Sequence, residues 1–216
     1  MTKAVIFDLD GTLLDTLGDL TAAVNHGLAA CGLPVRTAAQ VRTYVGDGVK
    51  ELIARACPAE ADDAVREAVL AAYLPYYAAH NQDTTAPYDG VMALLADLRR
   101  DGIAVAVVSN KHDAGVQALC AHYFDGYVDL AVGGGDSRPL KPAPDGLLYA
   151  MERLGVTPDE VWYVGDSVQD VLTARNAGVR CAAVTWGFHD RDRLARECPT
   201  CLCDTAEELH NAVFGG

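Results

Sequence analysis

Four short, nearly unbroken apolar runs constrain this chain most: residues 5–7, 104–108, 161–164 and 181–184. A strand covered on both faces has no polar side to show. Its side chains are then apolar at almost every position, as in the interior strands of a parallel sheet. Residues 127–131 form a weaker run of the same kind. Helix-length segments separate the runs, at 90–100, 113–122, 144–154 and 168–177. Parallel neighbours need a crossover long enough to hold a helix, so this alternation predicts a doubly wound α/β (Rossmann-like) parallel-sheet core.

One region interrupts the pattern. Between residues 17 and 80 no convincing strand occurs, and 20–30, 38–45, 49–56 and 61–77 read as helices broken at Gly32, Pro34, Gly46, Gly48 and Pro58. The expected organisation is an α/β core from residues 1–15 and 86–216, with an all-helical insert at 16–85. A chain of 216 residues is long enough for a core domain with a smaller insertion.

Charge narrows the partners. Lys and Arg number 17 against 30 Asp and Glu, a net charge of −13. Such a surface repels nucleic acid and anionic lipid, and no apolar stretch reaches the length of a membrane span. A phosphorylated substrate would be repelled too, so a site for one must bring its own local positive charge. Seven cysteines, no recognisable secretory segment and a first strand close to the N-terminus lead to the expectation of a cytoplasmic protein with reduced thiols. The Cys198–Cys203 cluster reads as a loop and a last core strand, with zinc as the alternative, although a structural zinc site wants four ligands.

Polar clusters stand where ligands of open α/β sheets bind, beyond the carboxyl ends of the strands. Asp8 and Asp10 follow the first run, with Gly11 permitting a tight turn. Two close carboxylates demand a cation or a shared proton; a plain turn with an N-cap is the alternative. Ser109 and Asn110 follow the second run, where a hydroxyl and backbone N–H groups can hold phosphate oxygens or cap a helix. Lys141 lies among Pro139, Pro142 and Pro144, which stiffen its segment. Asp166 and Asp170, four apart at the start of a helix, suit either a hard cation or the helix dipole.

Asp8-Leu9-Asp10-Gly11-Thr12-Leu13 resembles the first motif of the haloacid dehalogenase-like hydrolase superfamily. Ser109-Asn110-Lys111 resembles its second motif, Lys141-Pro142 at the opening of the next helix its third, and Gly165 to Asp170 its fourth. The resemblance implies a phosphatase in which Asp8 is the nucleophile and Asp10 the general acid and base. It implies Mg²⁺ held by Asp8, the backbone carbonyl of Asp10 and Asp166, with Asp170 in support. Ser109, Asn110 and Lys141 would hold the phosphoryl group. An acid at position 10 marks phosphoryl transfer rather than dehalogenation in this family. The insert resembles the family's small cap, and Gly46-Asp47-Gly48 resembles the cap loop of its phosphoglycolate phosphatases, implying contact with a small phosphorylated metabolite. A sugar-phosphate mutase on the same scaffold is the alternative. A phosphonoacetaldehyde hydrolase using Lys50 and a phospho-accepting receiver are weaker ones. Monomer and homodimer both remain open.

Overall fold

The computed structural model describes residues 1–135 and 138–214. The chain divides into two compact units, Met1–Leu14 with Pro87–Gly216, and Asp15–Ala86. Strand β1 (Ala4–Phe7) is followed by two short strands, β2 (Leu14–Asp15) and β3 (Ala86–Pro87), which pair with each other. The remaining strands are β4 (Ala104–His112), β5 (Leu130–Gly134), β6 (Val161–Gly165), β7 (Arg180–Val184) and β8 (Cys201–Cys203). With β1 they form one sheet in the order β5-β4-β1-β6-β7-β8. Every neighbouring pair in it is parallel, with Ile6 set between Ala106 and Tyr163. This is the doubly wound core that the apolar runs predict.

The second unit holds α1 (Leu17–Ala30), α2 (Ala38–Arg42), α3 (Val49–Ala56) and α4 (Asp63–His80). Its core gathers Leu20, Val24, Leu28, Val41, Ile53, Val69 and Tyr73. Helix starts follow local chemistry. Thr37 and Gln40 form a reciprocal capping box on α2, and the Asp62 carboxylate accepts from Val65 N at 2.9 Å to cap α4. Helix α1 begins three residues earlier than its apolar pattern suggests, because Thr16 is the residue before its first turn and Asp15 accepts from Leu17 N at 3.2 Å.

In the first unit the helices are α5 (Val91–Arg100), α6 (Asp113–Tyr123), α7 (Asp145–Leu154), α8 (Val168–Ala177), α9 (Arg191–Arg196) and α10 (Ala206–Phe214). Alternation within each strand sorts the core into two layers. Val5, Phe7, Val105, Val107, Trp162 and Val164 meet α5, α6 and α10 through Leu95, Leu119 and Leu209. Ala4, Ile6, Ala106, Val108 and Tyr163 meet α7, α8 and α9 through Leu147, Val171 and Leu194. The run at 127–131 misplaces β5: Tyr127 and Val128 pack on the first layer from a loop, and the strand starts at Leu130. Asp129 sets this boundary, its N–H donating to Val105 O and its carboxylate accepting from Val105 N at 2.9 Å.

Candidate active site

Strand register places the acids. β1 and β6 are neighbours with Phe7 beside Val164, so Asp8 and Asp166 leave adjacent strand ends, and Asp8 N donates to Val164 O at 2.8 Å. Asp170 joins them from the first turn of α8. Ser167 caps that helix, and its N–H and hydroxyl donate to Asp170 Oδ2 at 3.0 and 2.6 Å. One carboxylate oxygen from each of Asp8, Asp166 and Asp170 lies within 4.8 Å of the others, and all three residues are buried.

Lys141 reaches into this group. Its ammonium stands 2.9 Å from Asp8 Oδ2 and 2.7 Å from Asp170 Oδ1. It is buried rather than a solvated loop lysine. It does not open a helix as the sequence suggests: α7 starts at Asp145, four residues on. Its position is set instead by Asn110, whose amide donates to Lys141 O at 3.1 Å and accepts from Lys141 N at 2.7 Å. The Asn110 side chain is thereby engaged with backbone. Burial would lower the pKa of the ammonium, but the Asp170 and Asp8 carboxylates outweigh it and raise the value, so the group stays charged.

The acids respond oppositely. Burial is the main cause that pushes Asp8 up to about 6; Lys141 opposes the shift while Asp170 and Asp10 add to it. Asp166 is raised well above the ordinary range, by burial and then by Asp170 and Asp8. Three ionised carboxylates against one ammonium leave two negative charges uncompensated. An all-oxygen donor set with that excess fits a hard divalent cation. The surroundings are shaped for close approach at Asp166: a Cβ on Gly11 or on Gly187 would stand 2.4 Å from Asp166 Oδ2. Gly11 also has φ +82, a conformation other residues resist.

Asp10 stands apart from that triad. Both its oxygens face the ammonium of Lys111, at 2.8 and 3.0 Å. Ser109 is buried and accepts from Lys111 N at 3.3 Å. Ser109, Asn110 and Lys111 belong to the end of β4 itself, which runs on to His112 with a register irregularity after Val108. Gly46, Asp47 and Gly48 lie in the other unit, in the turn between α2 and α3, where Arg55 pairs with Asp47 at 2.5 Å.

A family model described as haloacid dehalogenase-like hydrolase matches residues 5–184, which include Asp8, Asp10, Ser109, Asn110, Lys111, Lys141, Asp166 and Asp170. The chain belongs to the haloacid dehalogenase-like hydrolases. Among its relatives, phosphoglycolate phosphatase 1 of Pseudomonas aeruginosa is 38% identical over 97% of this chain and 79% of its own. The phosphoglycolate phosphatase of Vibrio vulnificus is 34% identical over 98% and 96%. A solved structure assigned as a phosphoglycolate phosphatase, from Lactobacillus delbrueckii, superposes with a TM-score of 0.94 at 36% identity, covering 100% of both chains. CbbY of Rhodobacter sphaeroides, solved with phosphate, gives 0.78 at 28% identity over 97% of this chain and 96% of its own.

In this hydrolase several residues that carried no assigned role also shape the site. Thr12 Oγ1 donates to Asp166 Oδ1 at 2.9 Å and Phe188 N to Asp166 Oδ2 at 2.7 Å. Tyr163, fully buried on β6, sets its hydroxyl against Asp170 Oδ1 at 3.0 Å and Val108 O at 3.2 Å. Trp186 donates to Thr12 O at 3.0 Å and steadies the turn after β1. The signal available for Thr12 and Lys111 was their place inside the first and second motifs. For Tyr163, Gly187 and Phe188 there was none, because each partner lies on another element or loop.

Proposed function

We propose that this hydrolase is a Mg²⁺-dependent phosphatase of small phosphate monoesters, working through an aspartyl-phosphate on Asp8, with 2-phosphoglycolate as its substrate. The reading rests on one observation above the others: Asp8 is buried at a strand end with Oδ1 held by Leu9 N at 2.7 Å and Oδ2 by Lys141 at 2.9 Å, beside two further carboxylates. The substrate follows from relatives named for phosphoglycolate that match almost the whole chain.

Asp8, Asp166 and the backbone carbonyl of Asp10 would hold the cation, with Asp170 behind them. When bound, Mg²⁺ supplies the positive charge that allows a carboxylate to approach a phosphate anion. Lys141 and the hydroxyl of Ser109, with the backbone N–H groups beside it, balance the phosphoryl oxygens; the Asn110 side chain acts through Lys141. Asp8 bonds to phosphorus as the ester oxygen leaves and takes a proton from Asp10. Asp10 then removes a proton from water as the water oxygen bonds to phosphorus and Asp8 departs. The helical unit is assigned the role of cap, with Gly46, Asp47 and Gly48 reading the leaving group.

Phosphate release from a panel of esters, with and without Mg²⁺, tests this. Repeated Mg²⁺-dependent turnover with 2-phosphoglycolate as the best substrate is expected, and Asp8→Asn should lower kcat by on the order of 10⁴-fold or more. An isomerised sugar phosphate in place of free phosphate would make the protein a mutase. Near wild-type turnover by Asp8→Asn would remove the nucleophile.

A further inference from the structure

We infer that Lys111 is the positioning residue for Asp10 in the second half-reaction, where the phosphoenzyme is hydrolysed. This rests on the proposed aspartyl-phosphate route. Both oxygens of Asp10 face the Lys111 ammonium, at 2.8 and 3.0 Å, and the two side chains are only 12% and 7% exposed. They are 101 residues apart in sequence, so the tertiary fold makes the pair. The lysine has a fixed path: it lies near the end of β4, and its stem runs beside the backbone of Gly115, whose added Cβ would meet Lys111 Cε at 3.5 Å. Lys141, the other ammonium of the site, is committed to Asp8 and Asp170. The two lysines therefore divide the work, one serving the nucleophile's surroundings and the other the carboxylate beside it.

With both its oxygens on the ammonium, the Asp10 side chain has one fixed direction from which to meet the attacking water. In that step the water oxygen bonds to phosphorus, the bond from phosphorus to Asp8 breaks, and one water proton passes to Asp10. Loss of Lys111 leaves the carboxylate rotating about its side-chain bonds without its partner, and a base that is misplaced by an ångström loses much of its effect. The defect should fall on hydrolysis of the phosphoenzyme rather than on its formation from an ester with a good leaving group.

The test is pre-steady-state kinetics of the Mg²⁺-loaded enzyme with p-nitrophenyl phosphate, whose leaving group needs no proton. Lys111→Met should give a burst of p-nitrophenolate equal to the enzyme concentration. A steady rate on the order of 10²-fold below wild type should follow, with KM unchanged or lowered and phosphoenzyme visible by mass spectrometry. Asp10→Asn should behave alike, and the double variant should turn over no more slowly than Asp10→Asn alone, since a residue acting through Asp10 has nothing left to position. If Lys111→Met does not fold, Lys111→Gln and the double variant, which buries no unpaired carboxylate, carry the same measurements. Wild-type turnover in the Lys111 variants, a slow rate without a burst, or a further loss in the double variant would overturn the inference. Failure of Asp8→Asn to abolish turnover would instead remove the phosphoenzyme reading on which it stands.

Discussion

At the scale of single residues, the site is a set of charges whose positions are held by neighbours that carry no charge themselves. Asn110 is the clearest case, because its amide closes on both backbone polar groups of Lys141. Asn110→Ala would leave that buried N–H and C=O unpaired, at a cost of about 1–3 kcal/mol, and would loosen the segment that aims the ammonium. We expect a lower melting temperature and a fall in kcat/KM of at least ~10-fold; unchanged kinetics would show that Lys141 is placed by its prolines alone. Residue type was legible here and partnership was not. Asp8 and Asp166 stood out because each comes just after an apolar run, and Lys141 because it lies among prolines. The clip between Asn110 and Lys141 joins residues 31 apart, which no local pattern reports.

At the scale of elements, the packing of α1 on α4 makes two predictions. Gly27 sits in the middle of α1, where glycine normally costs about 1 kcal/mol relative to alanine. A Cβ there would lie 2.7 Å from Val69 O of α4, however, and 3.2 Å from Val69 Cγ1. Overpacking of this kind costs about 1–3 kcal/mol, and because a backbone atom is involved it should exceed the helix-propensity gain. Thermal melts should show Gly27→Ala several degrees less stable; an equal or higher melting temperature would refute the close approach. Asp19, in the first turn of the same helix, accepts from the N–H and hydroxyl of Thr84 at 2.9 and 2.6 Å and of Thr85 at 3.0 and 2.7 Å. Burial would raise its pKa, but these four donors outweigh burial and hold it below the ordinary 3.8. A depressed carboxyl contributes stability that is fully present above the unfolded-state value and is lost as pH falls through the folded one. The stability gap between wild type and Asp19→Asn should therefore be constant near pH 6 and shrink below about pH 4. A gap independent of pH down to acid unfolding would contradict this. Element types were readable from periodicity, and the ends less so, since caps such as Thr37 and Asp62 and the boundary set by Asp129 act through hydrogen bonds that hydrophobicity does not record.

At the scale of the whole molecule, metal, protons and stability are linked. Without a cation, burial first of all pushes the Asp8 carboxyl up to about 6 and raises that of Asp166 well above the ordinary range. A raised carboxyl reverses the usual sign: the folded state holds its proton longer than the unfolded one, so stability falls as pH climbs from the unfolded-state value through the folded one. Metal-stripped protein should thus lose stability between about pH 4 and pH 6. Added Mg²⁺ should restore most at the high end of that range, by about 2.7 kcal/mol at a hundredfold excess over its Kd. Melting curves with EDTA and with Mg²⁺ across this range check it. An identical pH profile in both would mean that the cation does not bind at these acids.

The amino-acid sequence by itself determined the parallel core, the position of the helical insert and the order of the motif residues, because burial on two faces and helix periodicity are written one residue at a time. Only the tertiary structure decided which charges meet: Lys111 with Asp10, Lys141 with both Asp8 and Asp170, Tyr163 with Asp170. Those pairings depend on strand order and register, which bring β1, β4 and β6 side by side from distant parts of the chain. An electrostatic contact is a property of distance in space, and distance along the chain does not encode it.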